Sequence, residues 1–319
     1  MKLSLLPLLQ CPDCGSDFTV QATHEDVGEV MEGALSCSCA TFPIIRGVPR
    51  MLPKELHPQN WETARRFGEE WNQFSEMNEQ YEEQFLSWIE PVPRDHFVGK
   101  TVLDVGCGKG RHVLQAKKFG ASTVVGVDLS HAVDAAFQNV GRLEGVHIIQ
   151  ADVYRLPLKP VFDYAYSIGV LHHTPDPARS FQCMADKVKS GGSVSAWVYG
   201  REGNDWIIYG LNPIRRITSW LPMPITKAIA WCLTIVLQTI LVLLYRPFGK
   251  YLPYGPYLSS ISRYSFRENF LIVLDHLIPE IAFYITQTEF RAWFEHAHLE
   301  RSVITPRYAN SWRGFAWKP

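Results

Sequence analysis

One short stretch of the chain combines an acidic residue with three closely spaced glycines. In TVLDVGCGKGRH (101–112), Asp104 is followed at every second position by Gly106, Gly108 and Gly110. Glycines let the backbone turn sharply and approach a ligand closely. A carboxylate ahead of them repels a phosphate but accepts hydrogen bonds from an ammonium group. Because the spacing also differs from the G-x-G-x-x-G of dinucleotide-binding loops, it favours a ligand that carries an amino acid group and no pyrophosphate.

Two further acids follow apolar stretches that are typical of β-strands. Asp128 comes after the run 124–127, 22 residues beyond Gly106, and its carboxylate can accept hydrogen bonds from both hydroxyls of a ribose. Asp152 follows a third apolar run, 146–150. One such acid alone would be interpreted as a helix cap or a surface group. Since the carboxyl ends of parallel strands meet at one edge of a sheet, three acids at successive strand ends favour a cofactor site.

These motifs resemble those of the class I S-adenosylmethionine-dependent methyltransferases. The resemblance implies an α/β fold with a Rossmann-like sheet of seven strands. It also implies that Asp104, Asp128 and Asp152 bind the amino acid, ribose and adenine parts of S-adenosylmethionine. The other cofactor-binding positions that it implies are Gly106, Cys107, Gly108, Gly110, Leu129 and Val153.

The loop after the fourth predicted strand supplies the candidate catalytic residues. Strand 164–170 is followed by LHHTPDP (171–177), which is similar to the loop that these enzymes place beside the transferred methyl group. His172 and His173 are candidate general bases, and Tyr199 follows at the end of the fifth strand. The alternative, a turn that only shapes the pocket wall, stays open. The expected reaction is an in-line displacement of the sulfonium methyl, for which the protein mainly aligns the reactants.

Four cysteines near the N-terminus form a candidate metal site. Cys11 and Cys14 precede a glycine, and Cys37 and Cys39 follow within a short distance. Thiolates in two tight turns bind zinc tetrahedrally. The segment resembles the zinc-ribbon activator domain of tRNA and release-factor methyltransferases, although its second pair is C-x-C where the ribbon has C-x-x-C. We favour structural zinc over a reduced, metal-free remnant, and both over a disulfide, because the apolar start of the chain lacks the features of an export signal.

The predicted elements divide the chain of 319 residues into four parts. The zinc-ribbon-like domain covers 1–52, and a helical linker or lid covers 53–96. The methyltransferase core covers 97–200 and 287–319, and a helical insertion over the substrate side covers 201–286. Charge is uneven: residues 1–100 have 8 Lys and Arg against 16 Asp and Glu, whereas residues 201–319 have 13 against 8.

Two helices are expected between residues 61 and 89. Their simpler role is to cover one face of the sheet, which we favour. The alternative is a lid in which Phe67, Trp71 or Phe74 folds over the cofactor, and Phe67 and Trp71 are therefore candidate cofactor contacts.

The insertion contains a long apolar segment. Residues 228–245 carry no charge and lie between Lys227 and Arg246. Eighteen such residues are at the lower limit for crossing a bilayer. A buried cap or dimer helix is favoured, a membrane-surface helix is the second interpretation, and a transmembrane span is the third.

Three functions remain open on the sequence alone. We expect a methyltransferase for a small or lipid-like acceptor, because the insertion is apolar, and we do not favour nucleic acid as the partner, because the first hundred residues are acidic. The alternatives are an RNA base methyltransferase, with the zinc ribbon positioning RNA, and a non-catalytic adaptor. The expected location is the cytoplasm, with peripheral contact to the inner membrane face as the variant that segment 228–245 suggests.

Overall fold

The computed structural model describes residues 1–53, 55–56, 58–77 and 81–319, without the side chains of residues 59 and 60. Part of the predicted linker, positions 54, 57 and 78–80, lies outside the described residues. The strands are β1 (Thr19–Asp26), β2 (Glu29–Ser36), β3 (Thr41–Ile45), β4 (Val48–Met51), β5 (Thr101–Val105), β6 (Thr123–Asp128), β7 (Val146–Ala151), β8 (Phe162–Ile168), β9 (Val188–Tyr199), β10 (Glu300–Arg307) and β11 (Ser311–Trp317).

The helices surround this sheet or belong to the insertion. They are α1 (Pro58–Gln73), α2 (Tyr81–Ile89), α3 (Arg111–Lys118), α4 (Ala132–Ala136), α5 (Pro177–Ala185), α6 (Asn212–Thr218), α7 (Met223–Ile240), α8 (Arg246–Phe248), α9 (Gly255–Ile261), α10 (Phe266–Leu277) and α11 (Gln287–His296). Short helical turns occupy Leu3–Leu8, Arg94–Phe97, Phe137–Gly141, Val153–Arg155, Leu171–His173, Ile207–Leu211, Leu241–Tyr245 and Gly249–Tyr251.

The sheet confirms the predicted fold class. Its strand order is β1-β2-β3-β4-β7-β6-β5-β8-β9-β11-β10. Strands β5 to β9 pair in parallel, and β11 joins β9 in the antiparallel sense, with β10 outside it. The seven strands from β7 to β10 are therefore the Rossmann-like sheet that the sequence predicts, including the terminal hairpin.

Alternating side chains along the central strands build two apolar layers. Leu103 and Val125 face one side, where Phe181 and Phe294 of α5 and α11 pack. Residues of the opposite face, such as Val102, pack against α2 and α3. Strands that are covered on both faces must be apolar at every position, which is why 101–105 and 123–127 are almost uninterrupted apolar runs.

The N-terminal domain continues the same sheet. β4 pairs in parallel with β7 through Arg50 and Gln150, and Leu9 forms a bridge to Leu158. Leu35 belongs to the same apolar cluster as the core of the methyltransferase sheet. The zinc-ribbon-like domain is thus an extension of the sheet edge, although the boundary at residue 52 remains a prediction.

Helices α6 to α10 lie between β9 and α11, in the segment that the sequence assigns to the insertion. Helix α7 packs against α10, where Ala230 joins a cluster with Phe270 and Leu274. The helical stretch Met223–Tyr251 is strongly apolar, and only 17% of its 18 consecutive residues with the highest mean hydropathy are buried. Most of this segment is therefore exposed in the single chain, so the interpretation as a buried cap is wrong, whereas the dimer helix that was favoured beside it stays a prediction.

Candidate functional site

The turn after β5 brings the backbone close to neighbouring strands. The Gly106 N–H donates to the Val127 carbonyl oxygen at 2.7 Å. Gly106 has φ of 81°, and a Cβ there would lie 2.3 Å from the Val170 side chain. Both the backbone conformation and the space therefore require glycine at this position.

Asp128 is held in one orientation at the end of β6. Its Oδ2 accepts from the Gly108 N–H at 2.9 Å, and its Oδ1 accepts from the Ser130 N–H and hydroxyl at 2.8 and 2.7 Å. Burial raises the pKa of Asp128 above its ordinary value. The carboxylate lines the cavity beside Leu129, so it is pre-oriented for a ligand that donates hydrogen bonds.

Asp104 lies beneath the glycine turn and does not line the cavity. Its side chain is fully buried, and neither carboxylate oxygen makes a hydrogen bond of standard geometry to a described residue, although the nearby Tyr166 hydroxyl partly offsets the effect of burial on its pKa. Burial raises its pKa to about 8. A buried carboxyl without a partner is stabilised in its ionised form by a nearby positive charge, which is what the sulfonium and ammonium groups of S-adenosylmethionine would bring.

Most of the remaining predicted cofactor positions line the cavity, and one does not. Asp152 and Val153 line the cavity at the end of β7, and Asp152 Oδ1 accepts from the Tyr154 N–H at 3.0 Å. Cys107 and Gly108 also line it. Gly110 does not, because it faces Val140, whose side chain would lie 2.9 Å from a Cβ there.

Helix α1 forms a roof over the cofactor end of the cavity. Phe67 and Trp71 line the cavity, and the Trp71 ring lies 3.6 Å from the place of a Cβ on Gly108. Phe74, the third lid candidate, packs against Phe270 instead, with ring centroids 5.9 Å apart. The two predicted cofactor contacts are thus the two lid residues that reach the cavity.

The cavity encloses about 270 Å³ and extends from the glycine turn to the insertion. Its far half, the acceptor chamber, is rich in aromatic rings. These are Trp88, Trp197, Tyr199, Tyr257, Tyr264, Tyr284 and Tyr308. Aromatic walls of this kind favour a flat, apolar-faced guest.

The three candidate catalytic residues meet at the boundary of the two halves. His173 and Tyr199 line the cavity, whereas His172 is fully buried behind them, with its ring centroid 4.1 Å from that of Tyr199. His173 Nδ1 lies 2.7 Å from the Ile281 carbonyl oxygen, so Nδ1 donates and Nε2 keeps a lone pair. Burial lowers the pKa of His173 to about 4, which keeps the ring neutral at pH 7.

Two carboxyl groups in the acceptor chamber were not predicted from the sequence. Asp275 of α10 lines the cavity, and the fully buried Glu70 of α1 lies beside it. Burial raises the pKa of Asp275 to about 6 and raises the pKa of Glu70 well above its ordinary value. Two adjacent carboxyl groups that are shielded from water share a proton, because two negative charges so close together repel each other. No local pattern marks either acid, since they meet only through the packing of α10 near α1.

Two arginines give the chamber positive charge. The Arg111 guanidinium lies 5.2 Å from the Trp71 ring and 5.3 Å from the Trp88 ring. Arg307 of β10 lies 5.4 Å from Trp88 and 4.3 Å from Tyr308. Both arginines line the cavity, so cations and aromatic faces alternate around its wall.

The four N-terminal cysteines come together as predicted. Their sulfur atoms all lie within 4.8 Å of one another. Separations of 3.6 Å for Cys11–Cys39, 3.8 Å for Cys14–Cys37 and 3.7 Å for Cys37–Cys39 agree with the edge of about 3.8 Å that four Zn–S bonds of about 2.3 Å produce in a tetrahedron. Hydrogen bonds from Ser16 and Ser38 lower the pKa of Cys14 to about 5. The cluster is compatible with structural zinc despite the C-x-C spacing.

Comparison with known proteins finds similarity over the central part of the chain. The family of the methyltransferase domain matches residues 103–196. The tRNA U34 carboxymethyltransferase of Shewanella pealeana is 36% identical over 112 residues, which are 34% of this chain and 34% of that protein. The enzyme of the same name from Shewanella loihica is 33% identical over 139 residues, 41% and 42% of the two chains. A solved S-adenosylmethionine-dependent methyltransferase from Mesorhizobium loti is 33% identical, covers 34% of this chain and 49% of its own, and has a TM-score of 0.31.

The family match, 103–196, covers the cofactor-binding part. The chain spans about a third to two fifths of the length of the two Shewanella relatives. Their names nevertheless contradict our expectation of a small or lipid-like acceptor with nucleic acid disfavoured, because they are named for action on tRNA. That expectation was based on the apolar insertion and the acidic N-terminal part, both of which lie outside the cofactor-binding sheet. Neither feature therefore identifies what enters the acceptor chamber.

Proposed function

We propose that this chain is a class I S-adenosylmethionine-dependent methyltransferase that transfers the methyl group to a base of an RNA. The observation that carries the choice of acceptor is the similarity of 112 to 139 residues of this chain to enzymes named tRNA U34 carboxymethyltransferase. The aromatic and cationic wall of the acceptor chamber supports it, because nucleobases stack on aromatic rings and on guanidinium planes.

S-adenosylmethionine is the cofactor of this family and supplies an electrophilic methyl group on its sulfonium. The residues of this chain that would hold it are those of the glycine turn and the strand ends. Asp128 would accept hydrogen bonds from the ribose hydroxyls, and Asp152 would face the adenine. The buried carboxyl of Asp104 would gain its ionised form as the positive charge arrives, which makes cofactor binding and ionisation favour each other.

The acceptor chamber would orient a flat base at the other end of the cavity. Tyr199 and Trp88 offer ring faces for stacking. Asp275 offers a carboxyl that can accept a hydrogen bond from a ring N–H or amino group. With a pKa of about 6, it is mostly ionised at pH 7 and can also take a proton from a weakly acidic nucleophile.

Of the predicted bases, His173 is the one with the geometry to act directly. Its Nε2 keeps a lone pair while Nδ1 is fixed on the Ile281 carbonyl oxygen. His172 is separated from the cavity by its neighbours, so we assign it to packing behind Tyr199. Tyr199 itself keeps its proton, because burial raises the pKa of its hydroxyl.

The experiment that tests the acceptor class is methylation of a cell extract with S-adenosylmethionine labelled in the methyl group. We expect the label in nuclease-sensitive RNA, and mass analysis of the digested nucleosides would identify the base and distinguish a methyl from a carboxymethyl group. The Asp128→Ala variant serves as the control for cofactor-dependent labelling. Label in protein or in small molecules, with RNA unlabelled, would contradict the proposal.

A further inference from the structure

The outer side of α7 exposes large apolar side chains along its whole length. Trp231, Ile235, Val236 and Leu243 are 54%, 40%, 59% and 63% exposed. Their spacing, with the short helical turn after α7 continuing the same helix, places them on one side of it. The helical stretch Met223–Tyr251 is long and apolar enough to cross a membrane by length and composition.

The inner side of the same helix carries small and polar residues beside the buried Leu241 and the half-buried Leu233 and Leu237. Thr226, Ala230 and Thr234 are fully buried. The Thr234 hydroxyl donates to the Ala230 carbonyl oxygen at 2.7 Å, and the Thr226 hydroxyl to the Thr218 carbonyl oxygen at 3.1 Å. A helix on the surface of a protein that meets only water has the opposite arrangement, with its largest apolar residues inward. The outer face of α7 therefore requires an apolar environment outside this chain.

The exposed apolar surface continues onto neighbouring elements. Trp220, after α6, is 79% exposed, Ile217 is 66% exposed and Phe248 is 56% exposed. We call this continuous area the outer α6–α7 surface; its main residues are Ile217, Trp220, Trp231, Val236, Leu243 and Phe248. Two tryptophans at such positions suit the boundary between lipid headgroups and acyl chains.

The segment that carries this surface is basic, although Arg267 pairs with Glu76 of the neighbouring chain segment and Arg215 is buried. From Trp206 to Arg267 the sequence contains seven basic residues and no aspartate or glutamate; the basic residues are Arg215, Arg216, Lys227, Arg246, Lys250, Arg263 and Arg267. Arg216, Lys250 and Arg263 are exposed. Anionic lipid headgroups match this charge. A second copy of the chain would instead bring two predominantly basic surfaces together, which disfavours a symmetric dimer at this face.

Nucleic acid matches the charge but not the apolar residues. RNA phosphates would leave Val236 and Leu243 in water, whereas a membrane removes them from it. We propose that the outer α6–α7 surface docks on an anionic membrane surface, with its apolar side chains at the boundary of headgroups and acyl chains. The membrane is the place where the chain resides and not its methyl acceptor, so this inference does not depend on the proposed function.

The packing of α7 explains why the helix lies on the membrane and does not cross it. Its inner face is held on α10 by the cluster of Ala230, Phe270, Leu274 and Leu277. Crossing the bilayer would require α7 to leave α10 and to expose Thr226 and Thr234 to lipid, or to take α10 with its charged residues along. Docking by the outer face keeps both helices together.

The test is flotation of the full-length protein with vesicles. Vesicles of phosphatidylglycerol and phosphatidylcholine should carry the protein upward, and pure phosphatidylcholine should carry about fivefold less for each basic side chain that meets an anionic headgroup. Val236→Glu should lower the bound fraction about tenfold. Val98→Glu is the matched control, because Val98 is 64% exposed on the methyltransferase core, and it should bind as the unmodified protein does.

Three outcomes would overturn the proposal. Absence of flotation with anionic vesicles would exclude membrane docking. A concentration-dependent dimer that Val236→Glu abolishes, without vesicle binding, would assign the surface to a second copy. Retention in the membrane fraction after alkaline carbonate extraction from cells would show a transmembrane span. In each case RNA labelling is measured separately, so failure of docking is distinguishable from failure of the proposed function.

Discussion

The two halves of the cavity are built in different ways. In the cofactor half, the polar groups sit at the ends of consecutive parallel strands, within 101–153, and backbone hydrogen bonds fix them. In the acceptor half, Glu70, Asp275 and Arg307 come from α1, α10 and β10, which are far apart in the chain. The first half depends on local backbone geometry and the second on tertiary packing. Substitutions in the two halves should therefore affect different steps, cofactor binding in one and turnover in the other.

The largest effect is expected from the acceptor half. Asp275→Asn should lower kcat by about 100-fold, the usual size for loss of a group that transfers a proton, while the Kd for S-adenosylmethionine stays within about twofold. Because the pKa of Asp275 is raised to about 6 by burial, activity of the unmodified enzyme should rise with pH through about 6 as the carboxyl ionises. The Asn variant should lose that dependence.

Steady-state kinetics from about pH 5 to 8, on either side of that pKa, together with calorimetric cofactor titration, measure both quantities. His173→Gln is the companion variant, since it removes the other candidate base. An unchanged kcat in Asp275→Asn would show that this carboxyl only lines the wall.

Substitutions in the cofactor half should change the affinity for S-adenosylmethionine. Asp128→Ala should weaken S-adenosylmethionine by about 10- to 100-fold, because a charged hydrogen-bond acceptor contributes about 1.5–3 kcal/mol. Asp205→Ala, at an acid that is 71% exposed in its side chain and lies outside the cavity, is the control and should bind normally. Calorimetry of both variants decides the matter: equal affinity in the two, with folding intact, would remove Asp128 from the site.

The same difference explains how much of the site the sequence predicts. The acids at strand ends and Gly106 follow from short-range patterns, because a strand, a turn and a helix start are encoded by neighbouring residues. Glu70 and Asp275 carry no such signal: Glu70 lies among other polar residues of α1, and Asp275 interrupts an apolar run of α10 without a motif around it. The exposure of α7 in the single chain was not predicted for a related reason: hydropathy gives the apolar content of a helix but not the direction in which its large side chains point.

The N-terminal cysteine cluster is a third region, and we expect its stability to depend on a metal. Chelation of zinc should lower Tm by about 5 °C and increase hydrogen exchange in β1–β3 more than in β5–β9. The loss is limited because Leu9 and Leu35 pack into the core of the main sheet, so the segment has support besides the metal. Metal analysis should give one zinc per chain.

A cysteine outside the cluster provides the control for this prediction. Cys14→Ser should reproduce the effect of chelation, while Cys232→Ser, at an exposed cysteine of α7, should leave Tm unchanged. Equal hydrogen exchange in β1–β3 of the chelated and the metal-loaded protein would show that the N-terminal domain does not need the ion for its stability.

The smallest expected effect distinguishes the contribution of Asp104 to protein stability from its contribution to cofactor binding. Burial raises the pKa of this carboxyl from 3.8 to about 8, so the folded state binds its proton more tightly than the unfolded state does. The resulting stabilisation is complete below about pH 4 and is lost as pH rises through about 8. Asp104→Asn stays neutral, and without cofactor its Tm should exceed that of the unmodified protein by a few degrees at about pH 8 but by less at about pH 5.

The same variant should bind S-adenosylmethionine about fivefold more weakly at about pH 8, because it cannot offer a negative charge to the positively charged cofactor. A variant that gains stability and keeps full affinity would contradict the role of Asp104 as the buried counter-charge, whereas opposite changes in Tm and affinity would show that this residue is retained for binding at a cost to the free enzyme.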